Sequence, residues 1–304
     1  MPETRTRRSV RSLITATAVL ALAGAGLAAC STESAAAATV SGVVAPLAAH
    51  PQADGWTVTA YESGDADRQP TTLGRADTAE GGAFAVSLSR DTVDDDAVIY
   101  LVATPEGTAQ KAVLAAVIAD PAAPENLSAV AVNERTTVAT GFAMAQFVGA
   151  DGVVGTAPGV QNSAAMAGNL VDPHTGELAT VISSSPNGSE TSTLPAFQSL
   201  VGMLAACVAD DGACAELLTA ATPADGDEPV DTFRAFAAIA KSPASAVVPL
   251  FDLAQQGALP SQPGLATAPD AWTLALRFDG DGQSLDGPGN FAIDSDGNLW
   301  VNNN

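Results

Sequence analysis

The amino-acid sequence predicts a multidomain α+β protein: a small antiparallel β-sandwich, then a helical bundle, then a short C-terminal β-hairpin segment. Three observations lead there. Across residues 39–132, short runs alternate bulky and small side chains with the period of a half-buried strand, and turn residues separate them. From Glu134 the apolar spacing changes to three and four residues, the period of an amphipathic helix. After Trp272 the alternation returns, and Asp296-Gly297 stands between two apolar triplets, a short-range hairpin signal.

The N-terminal end carries a different message. Residues 1–11 hold Arg5, Arg7, Arg8 and Arg11 against one acid, Glu3, and residues 13–29 hold no charge. A basic start, an apolar middle and small residues before a cut site form a secretory signal peptide, here residues 1–29. The apolar run, about 17 residues, is at the short limit for spanning a bilayer. It closes on Leu27-Ala28-Ala29-Cys30, which resembles the lipobox of bacterial lipoproteins. The resemblance implies cleavage before Cys30, a diacylglycerol on its thiol, and lipid anchoring to the cell membrane, facing the extracytoplasmic side. Residues 30–38, small and polar, then form a flexible tether. The other reading is an ordinary signal peptide cut after Ala29, with Cys30 incidental.

Charge narrows the partners. Four of the 12 basic residues and one of the 34 acids fall within residues 1–29, so the chain from Cys30 carries a formal charge of −25. Binding a phosphate backbone needs clustered Lys or Arg, so nucleic acid is excluded as a partner. The membrane, through the N-terminal lipid, is the partner implied; an extracellular ligand or protein partner is not named by any residue. Acidity of this kind fits a solvated surface, with cation binding or a salty habitat as alternatives.

If Cys30 is lipidated, Cys207 and Cys214 remain as a pair in an exported, disulfide-permissive compartment. On one straight helix they would stand about 10 Å apart, too far for a bridge. Asp210-Asp211-Gly212 between them is a helix-stop signal, and a turn there lets the thiols meet. Two buried thiols are the alternative.

Within residues 39–132, strands are expected at 40–44, 56–61, 83–88 and 97–103, with two more from 111–119 and 128–132. Turn-rich stretches cover 63–70 and 77–82. Val40-x-Gly42-x-Val44, the later Gly82-x-Phe84 and an apolar strand ending Tyr100-Leu-Val-Ala103 are similar to the carboxypeptidase-regulatory or transthyretin-like β-sandwich of secreted bacterial proteins. That resemblance covers roughly 65 residues and implies a spacer or binding module without catalytic residues.

Residues 133–258 are expected to be a helical domain. Leu194, Phe197, Leu200 or Val201, Leu204, and Cys207 or Val208 make one apolar stripe, with Thr193 as N-cap before Leu194-Pro195. Val230, Phe233, Phe236 and Ile239 make a second. A third helix starts at Ser242-Pro243 and continues through Leu250 and Phe251, kinked at Pro249. Residues 136–147 and 159–171 are further helices. One apolar face on each implies a small bundle. The stripes read as core; a hydrophobic-ligand pocket between the helices is a lesser alternative.

Catalytic chemistry is sparse. His50 and His174 are the two histidines, each beside a proline. No Cys or His spacing fits a zinc site, and no Gly-x-Ser-x-Gly elbow or P-loop occurs. A Ser-His-Asp set of His174 with one of residues 183–185 stays open, because triads are assembled in space. No catalytic residue and no cofactor is expected.

After a linker at 259–270, residues 271–304 hold an expected strand at 272–278 and the hairpin. The run from Gly287 to Val301, Gly-Pro-Gly-Asn-x-Ala-Ile-Asp-x-Asp-Gly-Asn-Leu-Trp-Val, resembles a blade of the NHL-type or streptogramin-lyase-like β-propellers. Propellers need typically four to eight blades of four strands, and residues 272–304 are less than one. The expectation is a propeller truncated here, whose complete form either binds extracellular partners or is a lyase-like or hydrolase-like enzyme. The hairpin alone would leave open strand edges. Asp279, Asp281, Asp294 and Asp296 invite a calcium reading, but Ser284 stands where an EF-hand needs Gly, and no Glu closes the loop. Turn chemistry is the simpler account of these acids.

Overall fold

The computed structural model describes residues 38–48, 55–89, 94, 96–107, 111–260, 262–282, 285 and 287–303. Seven strands form first: β1 (Thr39–Val44), β2 (Trp56–Glu62), β3 (Thr71–Asp77), β4 (Ala83–Ser87), β5 (Ile99–Pro105), β6 (Leu114–Ile118) and β7 (Val130–Val132). They make a four-stranded antiparallel sheet, β3-β2-β5-β6, and a three-stranded sheet, β4-β1-β7. In β2 the burial alternates residue by residue from Trp56 to Glu62, as its sequence predicts. One pairing departs from the expected antiparallel pattern. β7 lies parallel to β1, because it arrives after the chain has crossed through the other sheet.

Two glycines explain why these strands approach so closely. A Cβ on Gly42 would sit 1.9 Å from the carbonyl oxygen of Val130 on β7, and one on Gly82 would sit 2.0 Å from that of Val44. Gly82 also has φ +79, where other residues are strained. β3 was not expected: its one buried residue is Leu73, so Thr, Gly and Arg dilute the alternation below recognition.

The helices follow. α1 (Glu134–Ala143) opens with a capping box, Asn133 accepting from the Thr136 N–H while the Thr136 hydroxyl accepts from the Asn133 N–H. Eight of its ten residues are buried, so it is a central helix packed on several sides. The two-residue strands β8 (Val148–Gly149) and β9 (Gly152–Val153) pair next, followed by α2 (Gly159–Ala167) and the single turn α3 (Thr180–Ser183). α4 (Thr193–Ala209), α5 (Asp211–Ala220), α6 (Thr232–Lys241) and α7 (Val247–Gln256) complete the helical part.

Three local expectations are corrected. Thr193 begins α4 without capping it; its hydroxyl donates to the carbonyl oxygen of Ala275, and Ser192 holds the cap position. Val230 precedes α6 and is 61% exposed, whereas Phe233, Phe236 and Ile239 are buried as the stripe requires. α7 starts at Val247, which places Pro249 in the first turn, where its missing N–H costs no helical bond and no kink results.

Strands and helices share one hydrophobic core that runs from Val40 to Trp272. The changes of composition at residues 132 and 258 are thus changes of secondary structure across which packing continues. The reason is visible at the sheet's edge. β6 has all five residues buried because α1 and α6 cover it. Outward-facing backbone groups alternate along an edge strand, and threonines at two helix N-termini take them in turn. Thr232 on α6 donates its hydroxyl to Val113 O, the Thr136 hydroxyl donates to Ala115 O at 2.8 Å, and the Ala115 N–H donates to the Thr137 hydroxyl at 2.8 Å.

Residues 272–278, expected to be a strand, run extended but join no sheet. They dock by backbone: Asn187 accepts the Arg277 N–H at 2.8 Å and donates to the Arg277 carbonyl at 2.9 Å. Trp272 is fully buried in the common core, and its indole N–H has no partner among the described residues. The hairpin then forms from β10 (Asn290–Ile293) and β11 (Leu299–Asn302), antiparallel, with all eight residues exposed. Among the described residues it is a two-stranded ribbon and no propeller closes. No helix among the described residues is long and apolar enough to cross a membrane.

Candidate functional site

Cys30 and His50 lie outside the described residues. The other residues singled out by sequence fall at separate places. Between α4 and α5 only Asp210 is non-helical, with extended backbone and a carboxylate that accepts the Ala213 N–H at 2.9 Å. That single-residue corner folds α5 against α4 and brings Cys207 and Cys214 together as a disulfide, their Cα atoms 3.8 Å apart and both side chains buried. The break falls at Asp210, one residue before the position of the expected turn's centre, and Gly212 is helical.

Among the described residues no group of three or more His, Cys, Asp or Glu side chains is placed to hold a metal ion. The Asp294 carboxylate faces the hairpin's own donors: the Trp300 indole N–H at 2.8 Å, the Asn298 side-chain amide at 3.0 Å, and the backbone N–H groups of Asn298 at 2.9 Å and Asp296 at 3.0 Å. The Trp300 bond first, then those from Asn298, lower its pKa to about 2. The loop from Asp294 to Asn298 is therefore longer than a two-residue turn, and Gly297 (φ +82) supplies its only positive φ.

His174 is engaged without a serine. Its ring Nδ1 lies 3.1 Å from the carbonyl oxygen of Ser128, while the Ser183 hydroxyl donates to Ala179 O. A triad built on these two residues is not assembled.

Several concave features remain among the described residues, and sequence reasoning found none of them. One, about 650 Å³, is lined by α5 and α7, from Ala215 and Glu216 to Leu253 and Gln256. A second, about 370 Å³, lies over loop 63–68 and residues 155–157. Arg68 is its cation, shared by Glu62 at 3.4 Å, Asp65 at 3.4 Å and Asp94 at 3.5 Å. The buried Glu62 also accepts the Asp94 N–H at 2.9 Å, so this cluster ties loop to sheet. A smaller one, about 120 Å³, lies between β6, α1 and α2. Alanines and valines line most of it, Thr136 and Thr140 come from α1, and the more exposed Asn126 and His174 stand at its mouth.

A further polar feature lies nearby. Glu134, fully buried at the start of α1, accepts the N–H groups of Leu47 at 2.7 Å and Ala48 at 2.9 Å. Burial raises its pKa from the ordinary 4.5, against the pull of those donors and of Arg135. It fastens the segment that follows β1 to the central helix.

No family model matches the chain, and neither a curated protein nor a solved structure matches it.

Proposed function

We propose that the protein is a lipid-anchored extracytoplasmic lipoprotein whose folded part binds or scaffolds and does not catalyse. The observation that carries this reading is Leu27-Ala28-Ala29-Cys30 at the end of an uncharged run behind four arginines. The pairing of Cys207 with Cys214 is in keeping with an oxidising, exported compartment. The strong negative charge leaves the chain unsuited to nucleic acid. In this reading the two sheets are a carboxypeptidase-regulatory-like sandwich and the hairpin is part of an NHL-type blade. Support for the former comes from Gly42 and Gly82, which carry the resemblance and also stand where any side chain would collide with a neighbouring strand. Each buried methylene of an acyl chain contributes about 0.8 kcal/mol, so a doubly acylated Cys30 would hold the protein at the membrane. Intact-mass measurement of the membrane fraction tests this. The parent chain should carry a lipid-sized mass that Cys30→Ala loses together with its membrane association. Equal partitioning of both, without extra mass, defeats the reading.

A further inference from the structure

The cavity between β6, α1 and α2 has a composition that selects a ligand. Its walls are mostly Ala and Val side chains, and none of the residues lining it is Lys, Arg, Asp or Glu. An unpaired ion would be costly to bury there. Its volume, about 120 Å³, suits a molecule of about benzene's size, and the exposed Ala165, Gly168 and His174 leave it open on one side.

Two polar groups in it are unspent. On α1 the neighbouring hydroxyls of Thr136 and Thr137 are occupied by Ala115 and Asn133. Thr140, one turn further on, lines the cavity and is 1% exposed, yet its hydroxyl has no hydrogen-bond partner among the described residues. On β6 the outward-facing backbone groups at Val113 and Ala115 are taken by Thr232, Thr136 and Thr137. Next in that alternation is Val117, which lines the cavity and whose outward-facing backbone groups are taken by no helix side chain among the described residues. The helix thus covers the strand edge up to Ala115, and beyond it the two separate enough to leave an apolar hole with one free hydroxyl. The Thr140 hydroxyl opens onto the cavity and is not sealed in the core, so a ligand's matching group can take the place of water on it.

We infer that this cavity binds a small, uncharged, largely apolar molecule carrying one hydroxyl, a phenol or a short alcohol, with its apolar body against the alanines and its hydroxyl on Thr140. The site is independent of the lipid anchor, so it stands or falls separately from the proposed localisation.

The test uses the full chain with phenol and benzene as probes, followed by NMR titration of the cavity-lining methyl groups. Phenol should bind saturably, with a Kd on the order of 1 mM or tighter, and about five- to tenfold more tightly than benzene. Thr140→Val keeps the shape and should erase that preference while leaving benzene binding intact. Ala165 lines the same cavity from an exposed position, so Ala165→Phe should block both probes without disturbing the fold. Phenol that fails to saturate overturns the inference. So does phenol binding unchanged in Ala165→Phe, and so does an unaltered phenol preference in Thr140→Val.

Discussion

Strand β6 and the β10–β11 hairpin are written in the same alphabet and end in opposite surroundings. Leu114 to Ile118 are all buried, while Phe291, Ile293, Leu299 and Trp300 are each 60% or more exposed. Hydrophobicity does not separate them. What separates them is cover: β6 has helices whose threonines take its free backbone groups, whereas the strands of the hairpin have no such neighbour among the described residues, and α2 reaches its loop, where the Asn162 amide donates to Gly297 O at 3.1 Å. An apolar strand is drawn inward only when another element satisfies its edge as well as its face.

The sharpest test of that contrast compares two phenylalanines. Phe233, fully buried beside Tyr100, should lose about 3–5 kcal/mol on substitution by Ala. Phe291→Ala should stay within about 0.5 kcal/mol of the parent, and both are read by urea unfolding. A comparable loss at Phe291 would mean that the hairpin is covered after all.

The disulfide comes next in size. Cys207→Ala with Cys214→Ala should lower stability by about 2–3 kcal/mol, since the closed loop is short and the unfolded chain gains freedom. Thiol titration under denaturing conditions checks that the parent has no free thiol at these two positions.

Thr137→Val tests the edge itself. It removes the acceptor for a buried Ala115 N–H while keeping the side chain's shape, and should cost about 1–3 kcal/mol. No change would show that edge satisfaction is not what keeps β6 inside.

Two carboxylates sharpen the same comparison through pH. Glu134 is buried and its pKa is raised, so the folded state holds the proton more tightly than the unfolded one. Its contribution to stability is present below pH 4.5 and is lost as pH rises through the folded value. Glu134→Gln should flatten that part of the stability profile. Asp294 is exposed and its pKa is lowered, so its effect is present above 3.8 and is lost as pH falls through about 2. The Trp300 indole N–H resonance should shift over that acid range without any global unfolding.

How much of this was legible follows from which signals are local. The period-two burial of β2, the stripe of Phe233, Phe236 and Ile239, and the break between Cys207 and Cys214 depend on residues close in sequence, and each could be read. β3 could not, because only Leu73 in it faces the core. The extended segment after Trp272 has a strand's alternation, yet its backbone bonds go to Asn187, about 90 residues earlier, and no periodicity encodes such a partner. Nor could the cavity at Thr140 be foreseen. It exists because α1 and α2 meet β6 through alanines, and an Ala-rich helix reads the same whether it packs closely or leaves a gap.

The three tryptophans divide along the same line. Trp56 and Trp272 are 6% and 0% exposed, whereas Trp300 is 66% exposed at the hairpin. The protein therefore contains its own optical probes for its two kinds of surroundings. A soluble quencher such as acrylamide reaches the red-shifted emission of Trp300 and leaves the blue emission of the interior pair in place, so one fluorescence titration can report whether a binding event engages the ribbon while the core stands unchanged.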